Sequence, residues 1–231
     1  MSLLTRSRKI GQMNRFVFST LVMALFALAA CDNGVKRDYY DNGKLKSELR
    51  YADGRLNGES VWYFAEGGVM TRAFYRNDTL EGRYQRFHKN GAIEVECWYK
   101  HGLRDSVYRS YSDAGVLQLE EYYKEGKLDG EMKKWFDNGQ LFQEGRYDDG
   151  MMDGQWFVFY PSGALASKAE YQKGRGKQIG YDETGYKCLE VTYADNKKHG
   201  KETYFNSNGT VFKTVEYEYG KIVEKSDDTE K

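Results

Sequence analysis

The sequence is poor in the residues that usually announce chemistry. It holds one proline, three cysteines and three histidines in 231 residues. His88, His101 and His199 form no ligand cluster, and neither a paired-cysteine spacing nor H-E-x-x-H occurs. That excludes the common zinc patterns. No phosphate-loop motif is present, since pairs such as Gly43-Lys44 and Gly220-Lys221 are turn residues. Neither a metal nor a cofactor is therefore expected. Net charge is missing too, with 35 Lys and Arg against 35 Asp and Glu. Residues 1–30 carry four of the basic residues and no acidic one, which leaves 31 basic against 35 acidic in the rest. The basic excess that supplies most nucleic-acid affinity is absent. The apolar run Phe16–Ala30 is about 15 residues, short of the roughly 20 a membrane-spanning helix needs.

What is abundant is glycine (25), tyrosine (20), phenylalanine (12) and tryptophan (4), the composition of a turn-rich β protein. The glycines are periodic. They fall at Gly43, Gly67, Gly91, Gly115, Gly139, Gly163, Gly185 and Gly209, 24 residues apart except for one step of 22. A fixed period of this size marks a repeat architecture.

Four columns define the unit. An aromatic stands four residues before each turn glycine, from Tyr39 through Trp135 to Phe205. An aliphatic stands two after it, with Lys187 as the exception, and a small or apolar residue such as Ala73, Cys97 or Gly145 usually stands six after it. Tyrosine stands eight after it in every unit, from Tyr51 to Tyr217. Because strand side chains alternate, even offsets are expected to share one apolar face. Asn-Gly at residues 42–43, 90–91, 138–139 and 208–209 signals hairpins. A second turn eleven residues further on carries glycine in six units. Asp78 and Asn196 replace it in the others, and both tolerate positive φ. Pro161 also falls in a turn, where it withdraws no ladder hydrogen bond.

Two turns per unit predict an all-β fold: an elongated antiparallel meander of eight two-stranded units, about sixteen strands over roughly 75 Å. A bulge near the second turn would change which columns share the apolar face. Cys97 and Cys188 fall four units apart, roughly 38 Å, so they cannot pair within one flat array. Both read as apolar fillers.

Ahead of the array, Arg6, Arg8, Lys9 and Arg15 precede the apolar run, which ends Leu28-Ala29-Ala30-Cys31. This is the layout of a signal peptide, and the last four residues resemble the bacterial lipobox. The resemblance implies that Cys31 is the lipidated first residue of the mature chain. The expected organisation is a signal peptide at 1–30, an anchor linker at 31–38, the repeat array at 39–223 and a disordered tail at 224–231. The seven residues between Cys31 and Tyr39 span at most about 25 Å, so the array would stand close to a membrane of the cell envelope, with inner or outer membrane left open.

Units such as Gly130-Glu-Met-Lys-Lys-Trp-Phe-Asp-Asn-Gly-Gln-Leu-Phe-Gln-Glu-Gly-Arg-Tyr147 resemble the MORN-repeat variant of bacterial proteins, a group that includes YwqK-like antitoxins. The resemblance covers Tyr39 to about Gly220 and concerns glycines and aromatics, so it supplies no catalytic residues. It implies binding, with a toxin as one partner if an exported chain serves as an envelope immunity protein.

One departure from the period marks a candidate binding patch. Seven residues after the turn glycine, a column of Arg50, Arg146, Glu170, Thr192 and Glu216 is interrupted by Phe74, Trp98 and Tyr122. Trp62, Tyr84 and Tyr108 on the intervening strands are expected to extend this patch, together with Phe64. Exposed aromatic patches mark interaction sites. The glutamate column Glu48, Glu96, Glu120, Glu144 and Glu190 reads as a solvated face, with Arg50, Arg72, Arg146 and Lys168 as partners. The expected function is a non-enzymatic, lipid-anchored repeat protein that presents a β surface to a protein. The alternative is a structural envelope protein that binds glycan or lipid.

Overall fold

The computed structural model describes residues 33–227. The signal-peptide segment, Cys31 and residues 228–231 lie outside them. The described chain is one open sheet in which strands that follow each other in sequence pair antiparallel. The first turn joins β1 (Gly34–Tyr39) to β2 (Leu45–Ala52). The next strand is broken at Asn57 into β3 (Arg55–Leu56) and β4 (Gly58–Tyr63). There follow β5 (Val69–Arg76), β6 (Thr79–Phe87), β7 (Ile93–Lys100), β8 (Leu103–Tyr111), β9 (Leu117–Lys124) and β10 (Lys127–Trp135). The second half holds β11 (Leu141–Asp148), β12 (Met151–Phe159), β13 (Leu165–Gln172), β14 (Arg175–Tyr181) and β15 (Lys187–Ala194). It ends with β16 (Lys197–Phe205), β17 (Val211–Glu218) and β18 (Lys221–Asp227).

The strands beyond the expected sixteen are the fragment β3 and the last strand, β18. Both ends of the array run further than the sequence suggested. Residues 34–38, assigned to the linker, form β1 together with Tyr39 and pair with β2 from Gly34↔Tyr51 onward. Gly34 precedes its turn glycine by nine residues, as Gly130 does, so the first unit has a full leading strand. Part of the expected tail, residues 224–227, lies in β18. The last turn, Tyr219-Gly220, has both φ angles positive and folds the chain back onto β17.

The two kinds of turn differ physically. The second turns are two-residue loops with both residues left-handed, as at Glu125 (φ 51) and Gly126 (φ 83). Asn77-Asp78 and Asp195-Asn196 adopt the same geometry without glycine, which suits the strand twist. The Asn-Gly turns are built otherwise. The Gly43 N–H bonds Tyr40 O at 2.8 Å, only the glycine is left-handed, and Asn42 Oδ1 accepts the Lys44 N–H at 3.0 Å.

A bulge after each of these first turns changes the expected faces. Lys134 pairs with Gln143 and Trp135 with Leu141, which leaves Phe142 over. The same shift recurs at Asp38/Tyr39 and Arg86/Phe87. One extra residue reverses the alternation. The aromatic column before the glycine and the aliphatic column just after it therefore lie on one face, and the tyrosine column lies on the other.

The tyrosine face is the packed one. Rings meet edge to face at 6.3 Å for Trp62–Tyr75, 5.8 Å for Tyr84–Tyr99 and 6.3 Å for Tyr108–Tyr123. The series continues through Tyr147–Trp156 (5.0 Å), Trp156–Tyr171 (6.2 Å) and Tyr171–Tyr193 (5.5 Å), arrangements that aromatic quadrupoles favour. Beneath the rings Ala73, Cys97 and Val191 are buried. Trp156 lies over Gly145, where an added Cβ would stand 2.1 Å from the ring. Cys97 and Cys188 are both free thiols.

The 22-residue step also has a structural meaning. In the second-turn hairpin β9–β10, three residues between Leu128 and Met132 face the single residue Tyr122. The hairpin β13–β14 pairs without any shift, from Gln172↔Arg175 to Ser167↔Gly180. Deleting that two-residue excess shortens the period from 24 to 22. Asn196 bridges the irregular place. Its Oδ1 accepts the Met152 N–H and its Nδ2 donates to Gly150 O, both at 2.8 Å.

Candidate functional site

The face opposite the tyrosines carries the candidate site. Strand alternation puts onto it the glutamate column, the basic residues of the preceding strands and the column that holds Phe74, Trp98 and Tyr122. The acid–base pairs follow from pairing register. Arg37 and Glu48 stand directly opposite and meet at 2.8 Å, and Arg109 and Glu120 do so at 2.6 Å. Arg83 Nε reaches diagonally to Glu96 Oε1 at 2.7 Å, and Lys177 reaches Glu190 at 2.5 Å. Lys177 and Lys187 together hold the Glu190 carboxyl below its ordinary range.

The partners differ from those expected. Arg37, Arg83, Arg109 and Lys177 come from the strand before the first turn rather than from Arg50, Arg146 or Lys168, because the register across that turn sets them opposite or diagonal to the glutamates. Only Arg72 enters an ion pair of this kind, with Glu59 at 3.1 Å. The signal for Arg83 and Arg109 was their place eight and six residues before a turn glycine. It was readable only once the bulge was known.

The expected aromatic patch divides in two. Trp62, Tyr84 and Tyr108 point to the tyrosine face, where each is engaged in the ring contacts described above. Phe64 follows Tyr63 into the first turn, where its N–H bonds Gly68 O. Phe74, Trp98 and Tyr122 remain together on the acid–base face, in one row across β5, β7 and β9. Phe74 and Tyr122 are each 37% exposed and Trp98 is half-buried. Among the described residues none of the three meets another aromatic ring. The Arg83 guanidinium lies 6.0 Å from the Trp98 ring centre.

Bare backbone borders the row. Tyr122 stands against Gly130, where an added Cβ would be 2.8 Å from Tyr122 Cβ and 3.4 Å from its Cγ. At Gly82 an added Cβ would be 3.7 Å from Phe74 Cβ. Both glycines have positive φ, in the excess residues of the second-turn hairpins. Beside Phe74 an open groove of about 340 Å³ is lined by Glu59, Arg72, Gly82, Arg83 and Gln85. Among the described residues no group of three or more His, Cys, Asp and Glu side chains is placed to hold a metal. Cys31 lies outside them.

This geometry can be set beside known proteins. No curated protein matches the chain. Four segments, residues 32–53, 80–101, 128–149 and 152–173, match the MORN repeat variant. Each matched segment contains one leading strand, one first turn and one following strand. Four of the eight units are thus matched by sequence to the MORN repeat variant, the last two of them consecutive, and the other four share their hairpin pattern.

Proposed function

We propose that this chain is a non-enzymatic, lipid-anchored repeat protein of the cell envelope that works by binding on its acid–base face. One observation carries the reading. Three aromatic side chains interrupt an otherwise charged or polar column and lie in one row without ring partners, on the face opposite the tyrosine column. Aromatic side chains left in this state supply binding energy when a ligand covers them. Lipidation at Cys31 belongs to the same proposal. With β1 starting at Gly34, only two residues would separate the anchor from the sheet.

A protein partner, such as a toxin met by an immunity protein, is a second reading. It is favoured by Trp98 and Tyr122 standing beside Arg83 and Arg109, the residue types that dominate protein hot spots.

A photo-activatable side chain at Val107, between Trp98 and Tyr122, tests the binding face in cells. Lys201, in the same column near the other end of the array, is the control. Adducts from position 107 and none from position 201 are expected. Equal labelling from both positions, or none from either, would contradict the proposal.

A further inference from the structure

The aromatic row has a period, and the period selects a ligand class. Phe74, Trp98 and Tyr122 lie on alternate strands, and strands are spaced about 4.8 Å apart, so the rings recur at about 9.6 Å. An extended peptide repeats its side-chain direction at about 6.8 Å, and a helix turns every 5.4 Å or so. The peptide falls out of step with the row, and a helix comes near it only every second turn, at about 10.8 Å. An extended β-1,4-linked glycan keeps step, because its disaccharide repeat closely matches two strand spacings. Every second sugar then offers the same apolar face. An α-1,4-linked glycan coils and loses the register.

Charge points the same way. The ionic groups flanking the row pair with one another as Glu59–Arg72, Arg83–Glu96 and Arg109–Glu120. The strip is therefore neutral while remaining rich in donors and acceptors. A neutral strip complements an uncharged, hydroxyl-rich polymer, whereas a nucleic acid needs an excess of unpaired cations. The surroundings agree. Tyr122 and Phe74 border the bare backbone of Gly130 and Gly82, and Val107, directly opposite Tyr122, adds an apolar side chain on the strand between Trp98 and Tyr122.

We propose that Phe74, Trp98 and Tyr122 form a platform for a single β-1,4-linked glycan strand laid across the strands, with sugars stacked on the rings. This rests on the binding-face reading above and names its ligand. The flanking acid–base pairs accept from and donate to the sugar hydroxyls.

The test is co-sedimentation of the full chain, in detergent, with chitin, cellulose and purified bacterial sacculi, and with starch granules as the α-linked control. Sedimentation with at least one β-1,4 polymer and not with starch is expected, and which polymer binds identifies the sugar. Trp98→Ala should weaken it about tenfold, with an unchanged unfolding midpoint, while Trp98→Tyr retains most of it. Raising the salt should change it little, since stacking rather than ion pairing holds the glycan. Failure with every β-1,4 polymer, equal sedimentation with starch, or indifference to Trp98→Ala overturns the proposal. A protein adduct from position 107 without glycan binding would overturn the ligand class and leave the binding face standing. Neither adduct nor sedimentation would overturn both.

Discussion

The two faces of this sheet are made by the same strands, and consecutive residues serve them in alternation. On the tyrosine face rings close over Ala73 and Cys97, which are 0% and 1% exposed. On the other face the Arg109–Glu120 pair keeps 33% and 21% of its side-chain surface in solvent, and Phe74 and Tyr122 of the aromatic row are each 37% exposed. A sheet without a second layer can still be stable if one face packs against itself. That leaves the opposite face open to recognition, because a residue at offset seven or eight serves one role or the other. Substitutions should therefore sort by face and not by residue type.

The sharpest break in that sorting should come from a buried ion pair on the tyrosine face, Lys198–Glu202. Glu202 is only 2% exposed, and burial alone would raise its pKa. Lys198 and the Tyr217 hydroxyl outweigh burial and hold it below the ordinary value. Lys198→Met leaves that carboxylate buried and unpaired, at a cost of about 3–5 kcal/mol, measurable by urea unfolding. A smaller loss is expected from Gly145→Ala. Its new Cβ must displace the Trp156 ring, which costs about 3 kcal/mol.

Alkaline titration sharpens the comparison without mutation. Burial first, and then the bond to Glu121 at 2.8 Å, push the Tyr123 pKa up from 10.0 to about 12. A phenol whose folded pKa is raised adds stability that is whole below pH 10 and is lost as pH rises through about 12. Tyr75, Tyr147, Tyr171 and Tyr193 are raised by burial in the same column. Unfolding should set in above pH 10, with tyrosinate absorbance and loss of β circular dichroism rising together. The smallest effect belongs to the acid–base face. Glu120→Gln removes a partly exposed pair and should cost about 1 kcal/mol, with the difference fading at high salt.

Much of this could be read from the sequence, for physical reasons that also explain what could not. The period and both turn positions were legible because left-handed backbone restricts residue choice, down to Asp78 and Asn196 at φ 65 and 59. The exchange of faces was not legible. The extra residue after each first turn is Lys46, Met70, Glu94, Gln118 or Phe142 in the first five units, and a bulge of this kind imposes no residue type. Assuming unbroken alternation joined Trp62, Tyr84 and Tyr108 to a patch they do not enter. The row of Phe74, Trp98 and Tyr122 was found because it lies beyond the bulge, where alternation holds. The 22-residue step was visible as a length, but its cause is a hydrogen-bond register, which no side chain records.

The division of labour between faces is tested most directly by urea unfolding of two tryptophan variants side by side. Trp156→Ala on the tyrosine face should lose about 3–5 kcal/mol, while Trp98→Ala should unfold within about 0.5 kcal/mol of the parent. Comparable losses in both variants, or the larger loss at Trp98, would contradict the account.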